Sequence, residues 1–174
     1  MTNQTIELMK TRRAIKSFND QPVTEEQLDA ILEAGIWAAS GRGKQAPVSV
    51  AVTDPEIVSW MSKTNAGLMG GSGDPFYGSK CVVVVFTDGE LFTGVEDGSL
   101  VIGNMMLAAH SLGVGSCWIH RAKEVFETPE GRQLMKKWGV PDSYVGVGNC
   151  VLGFWDGEYP DLKPRREGRI IKVK

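Results

Sequence analysis

Residues 100–120 read LVIGNMMLAAHSLGVGSCWIH, and this passage predicts a buried helix that leads into a strand. A helix drawn over Leu100–Leu112 is apolar on nearly every side, which is typical of a helix in the centre of a domain. Gly113 can adopt the left-handed conformation that ends a helix. Apolar and β-branched residues follow it, so we predict a strand or extended segment over Gly115–His120.

Shorter signals place the other elements around this passage. Thr24 and Gln27 have the spacing of a capping box, and the helix that they begin is predicted to end near Ser40. The apolar run Cys81–Thr87 is typical of a strand covered on both faces. The remaining predictions are a strand over Val48–Thr53, a helix from Asp54-Pro55, a Gly-rich loop or broken helix over Asn65–Gly78, a helix from Thr128-Pro129, and a strand over Tyr144–Phe154. This order indicates an α+β or α/β protein.

Length and composition indicate one cytoplasmic domain over residues 1–174. A chain of 174 residues can bury a core without a metal or a disulfide, and its net charge of −2 argues against a nucleic-acid partner. No run reaches about 18 apolar residues, and the polar start MTNQTIELMK does not resemble a signal peptide, so we expect no membrane partner. With two histidines and no CxxC, we expect no transition-metal site. Apolar runs surround all three cysteines, which predicts buried reduced thiols at Cys81, Cys117 and Cys150.

Two clusters of cations point to an anionic ligand. Arg12, Arg13 and Lys16 lie within five residues of one another and among apolar neighbours, so their mutual repulsion favours an anion beside them. Arginine presents a planar fork of donors that suits phosphate. A second basic group near the end of the chain consists of Lys163, Arg165 and Arg166. We therefore expect a phosphate-bearing ligand, with a solvated charged face as the alternative.

The common nucleotide-binding and hydrolase motifs are missing from this sequence. No GxGxxG follows a predicted strand and opens a helix, and no GxxxxGK[ST] occurs. No GxSxG of the nucleophile-elbow type occurs either. The expected phosphate would therefore be held by side chains, with loops shaping the rest of the pocket.

Four passages, in this order along the chain, resemble the FMN-dependent nitroreductases. The first is the basic segment Arg12–Phe18 (RRAIKSF), and the second is the loop Ala39–Pro47 (ASGRGKQAP). The third, Asn104–Ile119, is the most specific match, and the fourth is the tail segment Leu162–Arg165 (LKPR). The resemblance extends over nearly the whole chain.

The resemblance implies an α+β fold with a central, mostly antiparallel sheet flanked by helices, assembled as a homodimer with FMN at the interface. The tail, residues 155–174, would pack as an arm on the partner subunit. The implied FMN contacts are Arg12, Arg13, Ala14 and Lys16 near the phosphate, ribityl chain and polar ring edge, Lys163 and Arg165 at the phosphate, Ser40, Gly41, Arg42, Gly43 and Gln45 from the second subunit, Asn65 at the pyrimidine edge, and Cys117, Trp118, Ile119 and His120 along the ring, with a backbone N–H directed at N5.

The activity implied is hydride transfer from NAD(P)H through flavin N5 to a flat acceptor such as a nitroaromatic or a quinone, in a ping-pong cycle. Because the flavin carries the chemistry, no catalytic side chain is required, although His120 is a candidate proton donor. Trp118, Phe76 and Tyr77 are candidate walls of the substrate slot. Three alternatives stay open: the same scaffold with another chemistry such as enone reduction or dehalogenation, a non-catalytic FMN-binding protein that senses redox state through Cys117, and an anion-binding module without flavin.

The chain departs from the family pattern in three places. Ala14 stands where many relatives have serine, which removes one hydroxyl from the flavin site. Arg42 and Lys44 replace an Asn-containing loop and add two cations, which either favour an anionic substrate or the phosphate of NADPH, or form a solvated loop. His120 and Arg121 stand where some relatives carry Glu-Gly, so a substrate-contacting carboxylate is missing. The sequence therefore leaves open the acceptor and the choice between NADH and NADPH.

Overall fold

Helices and strands are interspersed along the chain. The computed structural model describes residues 2–174, so Met1 lies outside it. The helices are α1 (Gln4–Thr11), α2 (Glu25–Ile36), α3 (Pro55–Leu68), α4 (Gly94–Ser111), α5 (Ala122–Glu127) and α6 (Pro129–Lys137), with a 3-10 turn at Gly41–Gly43. The strands are β1 (Val48–Val52), β2 (Cys81–Asp88), β3 (Gly115–Ile119) and β4 (Tyr144–Gly153).

The four strands form one sheet in the order β1-β2-β4-β3, and every neighbouring pair is antiparallel. This confirms the predicted antiparallel α+β fold and excludes the α/β reading that the element order left open. The pairing of β2 with β4 shifts register between Val85 and Phe86. Because β2 and β4 are the inner strands, both faces of the sheet are covered there, as the apolar run in β2 predicted.

Alternate residues of β2 enter two separate cores. Val83 and Val85 pack with α2 and α4, whereas Val82 and Val84 pack with the layer formed by α3, α5 and α6. Helix α4 is the central element of its layer, and a Cβ at its Gly98 would come within 2.7 Å of the Val147 side chain on β4. The helix therefore lies directly against the sheet, and its two ends have fixed positions relative to the strands.

Two of the predicted helix ends are wrong. Helix α2 begins at the capping box, where the Thr24 hydroxyl accepts a hydrogen bond from the Gln27 N–H at 3.2 Å, but it ends at Ile36. Helix α3 continues through Asn65, where the sequence predicted the start of a Gly-rich loop or broken helix, and ends at Leu68. Asn65 and Ala66 are buried and keep this turn packed on the core, and Gly70, with φ of 70°, supplies the left-handed residue beyond the end.

Helices α1 and α5 were not predicted, because eight and six residues are too few to show a helical period. Helix α4 begins six residues before the predicted Leu100, since polar residues open its first turns. Within residues 2–174, none of the helices combines the length and the apolar composition that a membrane crossing needs.

Candidate functional site

The cation segment, residues 12–16, is held against the edge strand β3. Ala14 forms an isolated parallel bridge with Ser116, and the Ile15 N–H donates to the Ser116 carbonyl at 3.0 Å. The Ile15 side chain is 2% exposed and anchors the segment in the core. Its neighbours therefore stay at the surface, with Arg12 half-buried and Lys16 exposed.

The cations of this segment have no acidic partner. Within residues 2–174, no carboxylate oxygen lies within 4.0 Å of Arg12, Arg13 or Lys16. Arg13 donates from Nη1 to the carbonyls of Lys10 and Arg12 at 2.7 and 2.8 Å, while its buried Nε has no hydrogen-bond partner in the described chain. The Lys16 ammonium lies 5.9 Å from the centre of the Tyr77 ring. Three cations without counter-charge fit an anionic ligand.

A cluster that the sequence did not suggest ties the start of the tail to the cation segment; we call Thr11, Arg13, His110 and Tyr159 the Tyr159 clasp. The Arg13 N–H donates to the Tyr159 hydroxyl at 2.7 Å, and that hydroxyl lies 3.3 Å from His110 Nδ1. His110 Nε2 lies 2.9 Å from the Thr11 hydroxyl, and the His110 and Tyr159 rings stack at 5.7 Å. In the sequence, the only signal for the clasp is His110, a titratable residue near the end of an otherwise apolar helix.

The clasp is complete when His110 is neutral. Tyr159 then accepts from Arg13 and donates to His110 Nδ1, and His110 donates from Nε2 to Thr11, which donates to the Glu7 carbonyl at 2.9 Å. Partial burial lowers the pKa of His110, and the nearby guanidinium groups of Arg12 and Arg13 lower that pKa further. Both effects favour a neutral ring, and a neutral ring satisfies all of these hydrogen bonds.

At the end of β3, backbone groups rather than the side chains of Cys117 and Ile119 are available to a ligand. Cys117 and Ile119 are 5% and 8% exposed and point into the core, while Trp118 is half-buried and His120 is exposed. Burial raises the pKa of the Cys117 thiol, and Lys16 and Arg12 only partly oppose this rise. Cys117 and Ile119 can therefore reach a ligand only through their main chain, as the implied contact at N5 requires.

Asn65 lies underneath this segment rather than at its open edge. Its side chain is buried, and its Nδ2 donates to the His120 carbonyl at 2.8 Å. Phe76 is also a core residue, at 1% exposure, so it is not a wall of the predicted slot. Trp118 and Tyr77 stay as candidate walls, and a Cβ at Gly148 would come within 2.8 Å of the Trp118 ring.

The loop of residues 40–45 lies at the other end of α4. The Gly41 N–H donates to the buried Asp97 carboxylate at 2.9 Å, and a Cβ at Gly41 would overlap the Thr93 hydroxyl. Arg42 and Gln45 both have positive φ, at 53° and 50°. A cavity of about 370 Å³ beside the loop is lined in part by Ser40, Gln45 and Trp37. The loop therefore has a defined shape, with the Arg42 and Lys44 side chains exposed on it.

The FMN contacts predicted from the sequence do not lie together within a single chain. Asp97, which holds the loop, and His110, which holds the cation segment, are separated along α4 by about 20 Å at 1.5 Å per residue. Lys163 and Arg165 lie in the exposed tail. After Tyr159, this tail makes no hydrogen bond to the rest of the described chain. The site residues thus fall into three groups: the cation segment with β3, the loop, and the tail.

Comparison with known proteins establishes the family. The model of the nitroreductase family matches residues 9–69 and 62–154, which together make up most of the chain. The chain therefore belongs to the nitroreductase family, and the resemblance seen in the four sequence passages is confirmed.

Relatives and solved structures agree with this assignment. The chain is 26% identical to an NADPH-flavin oxidoreductase of Vibrio harveyi, covering 97% of this chain and 72% of the relative. It is also 26% identical to an oxygen-insensitive NADPH nitroreductase of Salmonella typhimurium, covering 96% and 72%. A nitroreductase with bound FMN from Bacteroides fragilis superposes with a TM-score of 0.91 at 27% identity, over 99% of this chain and all of that one.

Proposed function

We propose that this chain is an FMN-dependent oxidoreductase that takes electrons from NAD(P)H and reduces a flat acceptor such as a nitroaromatic or a quinone. The observation that carries the proposal is the cation segment. It holds three cations without acidic partners beside the open edge of β3, in a member of the nitroreductase family. Solved family structures with bound FMN have the same fold.

The residues present fit a phosphate-bearing flavin. Arg12, Arg13 and Lys16 supply charge, and the buried Nε atom of half-buried Arg13 still lacks an acceptor within the described chain. Arg12 and Arg13 would hold the phosphate and ribityl chain, and Lys16 would lie at the N1–C2 edge of the ring, where positive charge favours a reduced, anionic flavin.

When bound, FMN would supply the redox chemistry, hydride transfer from NAD(P)H to the acceptor in a ping-pong cycle. The chain's own part is to hold and orient. The backbone of residues 117–120 would line the ring, and Trp118 and Tyr77 would narrow the space over it. His120 is exposed at the end of this segment, within reach of solvent, where it is available to give a proton to a reduced product.

The loop supports assembly as a homodimer. Ser40–Gln45 and the cation segment lie at opposite ends of α4, and this separation supports a loop that contributes to the flavin site of the partner subunit. Trp37 and Phe92, near the loop, are 78% and 97% exposed, which favours a partner on this face. The tail also exposes apolar side chains, those of Ile170, Ile171 and Val173. We propose that the tail packs on the partner and brings Lys163 and Arg165 to the phosphate.

Cys117 argues against the redox-sensing alternative. A sensor thiol is accessible and has a lowered pKa, whereas Cys117 is buried and its pKa is raised. All three thiols are buried and free, which supports our expectation of a reducing, cytoplasmic location.

A visible absorption spectrum of the purified protein tests the proposal. We expect a flavin spectrum that is bleached anaerobically by NADH or NADPH and restored by a nitroaromatic or a quinone. A flavin spectrum that neither nucleotide bleaches would favour a binding role or another electron donor. A colourless protein that added FMN does not restore would mean that the cations serve another anion.

A further inference from the structure

Two buried carboxamides hold two consecutive peptide carbonyls at the end of β3. Asn65 on α3 donates to the His120 carbonyl at 2.8 Å, and Asn149 on β4 donates to the Ile119 carbonyl at 3.3 Å. Both side chains are 1% exposed, and in both the Oδ1 atom has no hydrogen-bond partner within residues 2–174. The two N–H donations are therefore the hydrogen bonds by which these carboxamides are held within residues 2–174.

These hydrogen bonds fix the direction of two N–H groups. In a trans peptide the N–H points opposite to the carbonyl that precedes it, and no cis peptide bond occurs in the described chain. Holding the carbonyls of Ile119 and His120 inward therefore turns the N–H groups of His120 and Arg121 away from the two carboxamides. Arg121 has φ of 73°, a conformation that a non-glycine residue seldom adopts, so the turn at this point is imposed by its surroundings.

Neither N–H donates to a backbone acceptor within residues 2–174. For His120, the direction of β3 explains why. The Ser116 carbonyl accepts from Ile15, so the backbone of Ser116 points away from β4. Backbone direction alternates along a strand, and His120 lies four residues on, so its N–H also points to the open edge of β3. The chain after Ile15 leaves that edge, since Phe18 packs at Gly153 and the Asn19 N–H donates to the Phe154 carbonyl.

We propose that Asn65 and Asn149 are positioning residues, which hold the peptide bonds 119–120 and 120–121 so that the N–H groups of His120 and Arg121 face the flavin ring. The inference rests on the proposed function and deepens it. The sequence reading assigned Asn65 to the pyrimidine edge and gave Asn149 no role. Here both act through the main chain, and the donors that meet the ring are backbone groups held from behind.

The replacements Asn65→Leu and Asn149→Leu keep the side-chain size and remove the donor. Asn104→Leu is the matched control, because Asn104 makes the same kind of bond, to the Ala34 carbonyl at 3.1 Å, on the opposite layer. We expect both site variants to bind FMN, since the cation segment is unchanged. We expect anaerobic flavin reduction at saturating NAD(P)H to slow about tenfold, as for one lost hydrogen bond, with the control unchanged.

Amide hydrogen exchange gives a readout that does not depend on turnover. In the parent, adding FMN to the flavin-free protein should slow exchange of the His120 and Arg121 amides, and Asn65→Leu should lose this protection while still binding FMN. Parent amides that FMN leaves unprotected would overturn the proposal even if a variant fails to fold. Equal reduction rates and equal protection in parent and folded site variants would overturn it as well. A parent that binds no FMN would refute the proposed function itself, before any variant is compared.

Discussion

The two ends of α4 carry two different kinds of site residue. At the C-terminal end, the cation segment is tied to β3 by the Ser116 bridge and to the tail by the Tyr159 clasp. At the N-terminal end, the loop of residues 40–45 is tied to the helix through Gly41 and Asp97, and its cations are exposed. The cations at the C-terminal end indicate an anionic ligand by themselves. The loop at the N-terminal end has a defined shape, but its proposed role at a flavin site requires a second subunit.

This difference shows how one helix can serve two sites. In the proposed dimer, α4 of each subunit would hold the charge of one flavin site and the loop of the other. Substitutions at the charged end should then weaken FMN binding, and substitutions at the loop end should weaken dimer assembly. The following predictions separate these two effects, from the largest to the smallest.

Arg12→Ala and Lys16→Ala should weaken FMN binding the most, by about 10- to 100-fold each, since each removes a charge-assisted contact to phosphate or ring oxygens. Fluorescence quenching of FMN on titration measures this. Lys10→Ala is the control, because Lys10 is a nearby exposed cation that already pairs with Glu7 at 2.8 Å. Unchanged binding in both site variants would show that the segment does not hold the flavin.

Gly41→Ala should disturb the loop end, because the added Cβ would overlap the Thr93 hydroxyl. We expect a loss of about 1–3 kcal/mol in stability and a shift from dimer towards monomer. Thermal unfolding and analytical ultracentrifugation measure the two effects. Gly67→Ala, in helix α3 where a Cβ meets nothing within 4 Å, is the control and should not destabilise. A Gly41→Ala protein that stays dimeric but loses FMN would mean that the loop acts on the ligand alone.

Tyr159→Phe should loosen the tail at the charged end, because it removes the acceptor of the Arg13 N–H and the donor to His110. We expect a cost of about 1 kcal/mol and faster proteolysis after Pro160. Tyr144→Phe, which loses a single bond to the Ala46 carbonyl, is the control for removing a tyrosine hydroxyl. Equal proteolysis of the tail in parent and Tyr159→Phe would exclude the clasp as its anchor.

His110 should give a small pH dependence below about pH 6.5, the ordinary pKa of histidine. Its pKa is lowered in the folded chain by burial and by Arg12 and Arg13. The unfolded chain therefore binds the proton more readily, so stability is complete above the ordinary pKa and falls as pH decreases through the folded one. Urea unfolding midpoints at pH 8 and pH 5.5 should differ less in His110→Gln than in the parent.

Most of the fold could be predicted from local pattern. The β2 run, the capping box of α2 and the Gly113 stop each act through neighbours within a few residues, and each was found in place. The errors came where distant contacts decide. Helix α3 runs past Asn65 because that side chain is buried against the end of β3, and α2 stops at Ile36 although apolar and small residues continue the helical pattern.

The sequence by itself determined the family, the sheet-and-helix composition and the charged segment, because apolar periodicity, capping residues and clustered cations are local properties of the chain. Only the tertiary structure decided how these parts meet. It placed the loop and the cation segment about 20 Å apart along α4, joined Tyr159 to His110, and brought Asn65 and Asn149 beneath one strand end. These hydrogen bonds join residues 30–55 positions apart and leave no local pattern, so no reading of the sequence alone could have found them.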